Sequence, residues 1–518
     1  TWNDARRGTV GAALAGEPAL DDAASARAIG LIDAFAGRWR GVADDACRLN
    51  KVTATQSDTA FEARSRCLQR RRAELDLQLA RIEHGTSDSI AAAVGGLHSL
   101  VEPEVCNDIA LLMQTVPPPD DPVQRETLAE LEAREHALEQ AILLEVSTGI
   151  RPEIDALLVD AERLGWAPMM ARAHILDAQL REVEGDLDGA EEALYAVALA
   201  AGRGHDSEQL IGAWISLTYL VGQLQGRVPE ALQLARVSEV EISRNGYPHD
   251  TVRLLTSKGA VYQAGNDKVH ARESWQRGID MLDADPQPRT YVRGVLLNNL
   301  GTLDLLEGDS RAALERFRGA RDIATELFGP AYPPLADNYL NMCLAHTQLG
   351  QYADAVVECT RARELLDRPG SEKAALARVL QGLTAPTLAS GHIEEAGELA
   401  KRARAGLAES YGERSYAVAA AEISLAQVAL YSGDPAGARE HAELAKQILG
   451  ELGPAFANMH GDAELVLGLV AFGAGDLDGA LARCSEAVKL AETALGSEHP
   501  SLLEALACRG AALAGLRR

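Results

Sequence analysis

Aromatic residues are scarce in this 518-residue chain, at 4%. A chain poor in aromatics and rich in Ala, Leu, Glu and Arg favours helices over sheets. Lysine is scarcer still, seven of fifty basic residues, which we read as composition bias rather than chemistry. Acidic residues number 76, so the net charge is −26. Phosphate binding draws on a dense Lys/Arg surface, so no nucleic-acid partner is expected. No apolar run approaches the roughly 18 residues of a membrane span, and no membrane insertion by this segment is expected. The seven cysteines include no Cys-x-x-Cys pair, which disfavours zinc ribbons and thioredoxin-like redox sites. Phosphate-cradling Gly-Lys-Ser/Thr loops, Gly-x-Ser-x-Gly elbows and His-Glu-x-x-His helices are all missing. No catalytic residue, metal site or cofactor is expected.

What is present is a period. Gly185-Asp186 is followed five residues on by Ala190. Gly226 leads likewise to Ala231, Gly308-Asp309 to Ala313, Gly350 to Ala355, Gly391 to Ala396, Gly433-Asp434 to Ala438 and Gly475-Asp476 to Ala480. Asn266 takes the Gly position in one further unit and leads to Ala271. The spacings are 41, 40, 42, 42, 41, 42 and 42 residues, too regular for accident. Twelve residues after the turn stand Gly278, Ala320, Ala362, Ala403, Ala445 and Ala487, and nine after it Trp275, Phe317, Cys359 and Cys484. Positions five and nine share one helix face. Each unit therefore reads as helix A, tight turn, helix B, with small residues where the helices approach and bulky ones filling the gaps.

Small residues at these offsets around a Gly-Asp turn, as in Gly301, Gly308, Ala313, Phe317 and Ala320, resemble the tetratricopeptide repeat. The 42-residue period, Leu297-Asn298-Asn299-Leu300 in helix A, and junctions such as Leu495-Gly496 before His499-Pro500 are similar to the kinesin-light-chain type of repeat. The resemblance implies an all-α fold: a right-handed α-solenoid of helical hairpins preceded by a helical bundle. Eight repeats are expected over 168–518. A degenerate capping hairpin, with Gly149, Ile154 and Ala161 at the repeat offsets, is expected over 124–167. Val116-Pro117-Pro118-Pro119 cannot be helical and marks a linker at 116–123. Residues 1–115 read as a separate bundle, with helices Ala24–Asn50, Gln56–His84, Ser87–Val101 and Pro103–Met113.

Within residues 1–115, Trp2 with Asp4-Ala5-Arg6-Arg7, Ala46-Cys47, Cys67-Leu68, Arg70-Arg71-Arg72 and Cys106, followed by Pro117-Pro118-Pro119-Asp120-Asp121-Pro122, resemble the region after the kinase domain in large myxobacterial-type serine/threonine kinases. That resemblance implies a kinase domain in cis, a membrane helix between kinase and repeats, and an oxidising outer compartment. The opening Thr1-Trp2, without Met, is expected of a segment of a longer polypeptide. A free-standing scaffold, and the sensor arm of a transcription regulator or caspase-like peptidase, are the alternatives. A cytoplasmic location is the alternative to an extracytoplasmic one.

In tetratricopeptide arrays helix A lines the concave face. Counting back from each turn, the expected groove residues for a protein or peptide ligand are Asn298, Asn299, Thr302, Asp337, Asn341, Arg378, Gln381 and Gln427. Asn and Gln both donate and accept, which suits a peptide backbone. Equally, these amides serve to bond neighbouring helices. Cys47 and Cys67 lie ten residues either side of Ser57, and a hairpin brings them across from each other. A Cys47–Cys67 disulfide and three buried thiols with Cys106 are the two readings. Cys343, Cys359, Cys484 and Cys508 are expected to pack as small hydrophobes. Arg70-Arg71-Arg72 is expected to fan over a solvated helix. His441, His460 and His499 are expected to be structural.

Overall fold

In the computed structural model the described residues are 2–144, 149–284, 290–367, 373–453 and 456–516. Their regular secondary structure is all helical, with no strand among them. They fall into two compact units, residues 1–296 with 324–331, and residues 297–323 with 332–518.

The turns show why the period exists. The seven glycine turn positions adopt the left-handed conformation, from φ 71° at Gly350 to φ 87° at Gly391. Asn266 joins them at φ 58°, and Asn tolerates this region better than other side chains. The Asp that follows caps helix B. Asp186 Oδ1 accepts the Gly189 N–H at 3.1 Å, and Asp434 and Asp476 repeat the bond at 3.0 Å. One residue ends helix A and the next starts helix B.

The small residues at position five, from Ala190 to Ala480, are 0% exposed in all eight units. At position nine the bulky residue fills a gap in its own helix A. A Cβ on Gly301 would lie 2.7 Å from the Phe317 ring, and one on Gly259 would lie 2.2 Å from the Trp275 indole. Burying such a ring stabilises the hairpin by roughly 1.5–3 kcal/mol before entropy is counted. The hairpins do not keep separate cores. In the first unit one cluster joins Ala178 and Ala190 to Leu217, Val221, Ala231 and Val261, spanning three successive hairpins. In the second unit the Gly308 turn rests on the His499-Pro500 junction, which buries His499.

A charged staple repeats with the same 42-residue offset in the second unit. Buried Glu422 on helix Tyr416–Tyr431 accepts from Arg404 Nε at 3.0 Å on the preceding helix and lies 2.7 Å from His441 Nδ1 on the following one. Glu464 lies 2.6 Å from Lys446 and 2.9 Å from Arg483 in the same arrangement. Burial raises the Glu464 carboxyl, and Lys446 and Arg483 more than reverse this, holding it below its ordinary range. His441 therefore has a carboxylate partner, which its sequence context had not suggested.

The N-terminal segment contains a helix that the sequence reading missed, Asp4–Ala15. Trp2 Nε1 donates to Asp33 at 2.7 Å, and Arg6 binds Glu83 at 2.9 Å and also Asp76. The long helices run Asp22–Cys47 and Asp58–His84, and Ser87–Leu97 follows. Pro103–Asn107 is a 3₁₀ turn and Ile109–Leu112 a single α turn, where one longer helix was expected. Val116–Pro119 has no regular secondary structure. Val116 N–H donates to the Gly204 carbonyl at 2.8 Å, and Trp166 Nε1 donates to Pro117 O at 3.0 Å.

Two cysteine expectations need correction. Cys67 is bonded to Cys106, with Cα atoms 5.6 Å apart, and Cys47 is free and exposed. Helix Asp22–Cys47 buries Val42 and Ala46 on one face, and the 100° step to Cys47 turns it to solvent. Cys67 faces the core beside Val42 and Leu68, where Cys106 meets it. In the second unit Cys343 pairs with Cys359 and Cys484 with Cys508, rather than packing as separate thiols.

Candidate functional site

The expected groove residues of the second unit are largely tied to one another across neighbouring A helices. Asn298, on helix Thr290–Leu306, accepts through Oδ1 from Asn341 Nδ2 at 3.2 Å and from Asn338 Nδ2 at 2.9 Å, both on helix Leu335–Gln348. Asp337 meets Arg378 at 3.5 Å on helix Lys373–Ala389. Gln381 Nε2 donates to Ser424 Oγ at 2.7 Å and to Ala420 O at 3.1 Å on the next A helix. Thr302 Oγ1 donates to the Asn298 carbonyl in its own helix. Asn299 and Gln427 are half-buried and their side-chain amides make no hydrogen bond among the described residues. The eight positions thus divide into five that clasp helix to helix, Thr302 bonded within its own helix, and two uncommitted amides. Asn338 lies between the two expected positions Asp337 and Asn341 and was not itself among the expected groove residues.

The first unit holds a cavity of about 560 Å³. One wall is helix Asp58–His84. The facing wall is formed by Pro122–Leu143 and the N-terminal parts of Ala167–Glu184, Ser207–Tyr219 and Pro248–Ala264, the A helices of successive hairpins. Leu111, Leu112, Trp166 and Ile175 add an apolar side.

Charge dominates the polar lining, and the arginine run is central to it. Arg71 is fully buried and binds Glu208 at 2.7 Å and Glu74 at 2.9 Å. Arg70 binds Asp206 at 2.7 Å and Glu208 at 3.2 Å. Only Arg72, paired with Asp76 at 3.3 Å, behaves as the solvated residue expected of all three. The expectation failed because a second protein surface lies against this helix face. Glu208 keeps 46% of its side-chain surface accessible, but that surface opens into the cavity. Burial pushes its carboxyl up, and Arg71 and Arg70 reverse the shift and hold it low. Glu74 goes the other way: burial raises it, Arg71 opposes, and Glu208 adds to the rise. Tyr247 is pushed up to about 12 by burial, with Asp108, Glu208 and Asp250 adding to it. Among the described residues no group of three or more His, Cys, Asp or Glu is placed to hold a metal ion.

Residues 465–501 match the tetratricopeptide repeat, bracketing the Gly475-Asp476 turn and its helix B. The chain carries tetratricopeptide-type helical repeats. No curated protein matches the chain in sequence. Among solved structures, the apo form of RapI is 12% identical, and the match covers 71% of this chain and 99% of RapI with a TM-score of 0.50. BtubC (BKLC) from P. vanneervenii is 18% identical over 47% of this chain and 92% of that one, with a TM-score of 0.35. A STAND protein with a tetratricopeptide repeat sensor from Pyrococcus horikoshii is 13% identical over 78% of this chain and 64% of that one, with a TM-score of 0.44. At these identities the likeness concerns the fold of the tetratricopeptide array alone. Among the described residues no helix is long and apolar enough to cross a membrane.

Proposed function

We propose that this chain is a protein- or peptide-binding regulatory region with no catalytic role of its own, which reads its partner along the A helices of the second unit. The carrying observation is the pair of uncommitted amides, Asn299 and Gln427, on helices whose other polar side chains clasp one another. A half-buried amide with free donors and acceptors can take up a strand of peptide backbone at little desolvation cost. The clasped amides hold the A helices in register and so keep those two groups in place.

The finer reading is that the region regulates a serine/threonine kinase domain of the same polypeptide, with residues 1–115 as a bundle between kinase and repeats. Its support is the resemblance of the segments around Cys47, Cys67 and Cys106. Three cysteine pairs support an oxidising, extracytoplasmic setting, where such bonds persist.

The test is selection from a random peptide display library. Wild type should enrich a peptide set that Asn299→Ala/Gln427→Ala retains at least tenfold less, with an unchanged melting temperature. Equal enrichment by both proteins would reject the two amides as the reading groups. For the kinase reading, the full polypeptide should phosphorylate itself at a rate that the enriched peptide changes. No change with a bound peptide would reject it.

A further inference from the structure

We propose that the cavity of the first unit is a second binding site, independent of the peptide groove, and that it takes a small zwitterion: an α-amino acid or a free-ended peptide of a few residues. Two side chains carry the argument. Arg66 and Glu139 both line the cavity, on helices Asp58–His84 and Pro122–Leu143. Neither side chain makes a hydrogen bond or ion pair with any described residue, and they do not pair with each other. Every other arginine of the lining has an acidic partner: Arg70 has Asp206, Arg72 has Asp76, and Arg172 has Glu132 at 3.0 Å and Glu135. One cation and one acid are thus left over in the same enclosure.

Both side chains are half-buried, an unpartnered charge partly withdrawn from water carries a cost, and a fold that keeps two of opposite sign without joining them holds two receptors open. Their state shows that cost. Burial lowers the Arg66 guanidinium from its ordinary value, against Glu62 and Glu132. Burial likewise pushes the Glu139 carboxyl up to about 7, with Glu135 adding to it and Arg172 opposing. A ligand carboxylate at Arg66 and a ligand ammonium at Glu139 would each restore the missing partner. The volume is that of a small-ligand site and cannot hold a folded partner. The apolar side formed by Leu111, Leu112 and Trp166 suits the carbon skeleton between the two charged ends. A purely anionic ligand would meet a lining in which carboxylates outnumber guanidiniums eight to four, and a purely cationic one would leave Arg66 unsatisfied.

The experiment is equilibrium dialysis of the whole chain against four pools, with retained compounds read by mass spectrometry. The pools are the twenty amino acids, random tripeptides with free ends, the same tripeptides N-acetylated, and the same tripeptides C-amidated. At least one of the first two pools should contain compounds retained tenfold or more above the capped pools, and which of the two does so identifies the ligand. Glu139→Gln should abolish the discrimination against acetylated ends and keep that against amidated ends. Arg66→Met should do the reverse, and Arg66→Lys should retain part of the preference. Retention of capped and free pools alike, or of none, overturns the proposal. So does the loss of both preferences in a single variant whose melting temperature is not below that of wild type.

Discussion

Arg71, with none of its side chain exposed, donates through Nη2 to Glu208 at 2.7 Å across 137 residues of sequence. This bond joins helix Asp58–His84 to the A helix of a repeat, with Glu74 as the second acceptor at 2.9 Å. Arg71→Ala should destabilise the first unit by about 1–3 kcal/mol, because it takes one partner from each of two cavity-lining carboxylates, of which Glu208 keeps Arg70. The double variant Arg71→Met/Glu208→Gln should cost clearly less. Urea titrations of the three proteins decide it, and an equal cost for single and double variants would refute the pairing.

Glu139 sets one sign of pH dependence and His98 the other. The Glu139 carboxyl is raised to about 7, so between its unfolded value near 4.5 and pH 7 the folded state binds more protons. Its contribution is therefore present below pH 4.5 and is lost as pH rises through 7, by about 2 kcal/mol after allowing for partial accessibility. Burial, with Arg27 adding to it, lowers His98 to about 4, where it packs edge-on against Phe328. Its contribution is present above pH 6.5 and is lost as pH falls through 4. Melting temperature against pH should thus fall less steeply toward pH 7 in Glu139→Gln and less steeply toward acid in His98→Phe. Glu139→Gln should also melt above wild type at pH 7. A lower value would show that the carboxylate is satisfied in the fold.

Gly301 and Phe317 form a matched pair across one hairpin, 2.7 Å being too close for a Cβ on rigid ring atoms. Gly301→Ala should destabilise by about 1–3 kcal/mol despite its better helix propensity. Gly301→Ala/Phe317→Leu should recover part of that loss in thermal melts. Gly8→Ala, where nothing lies within 4 Å of the added Cβ, should gain slightly from the same propensity.

Cys67 and Cys106 close a separation of 39 residues, for which the chain-entropy model gives about 4 kcal/mol. Peptide mapping without reductant should recover them linked and Cys47 alkylated. Cys106→Ser should lower the melting temperature of the oxidised protein, whereas Cys47→Ser should not. A Cys47–Cys67 peptide would restore the pairing expected from the sequence.

The local elements were legible because their causes lie within one unit. A left-handed turn residue, an Asp cap and a fully buried small residue five positions on occur within six residues. This is why Asn266 could be placed among the glycines before its φ of 58° was known. The all-α repeat class and the burial of Phe317 and Trp275 follow from the same short-range pattern. The staples Arg404–Glu422–His441 and Lys446–Glu464–Arg483 repeat with the period and were there to be found, but each draws on three helices. What only the tertiary structure decided is how charges and cysteines far apart in sequence meet. Arg71 reads as a solvated residue until Glu208 is brought against it, and Cys67 finds Cys106 rather than Cys47 because a 100° step per residue separates the buried face from the exposed one. Asn298 and Asn341 likewise became a clasp, and Arg66 and Glu139 a pair of open charges, only once neighbouring helices were stacked. Periodicity specifies what each helix buries, whereas the partner of a polar group is set by which surface arrives opposite it.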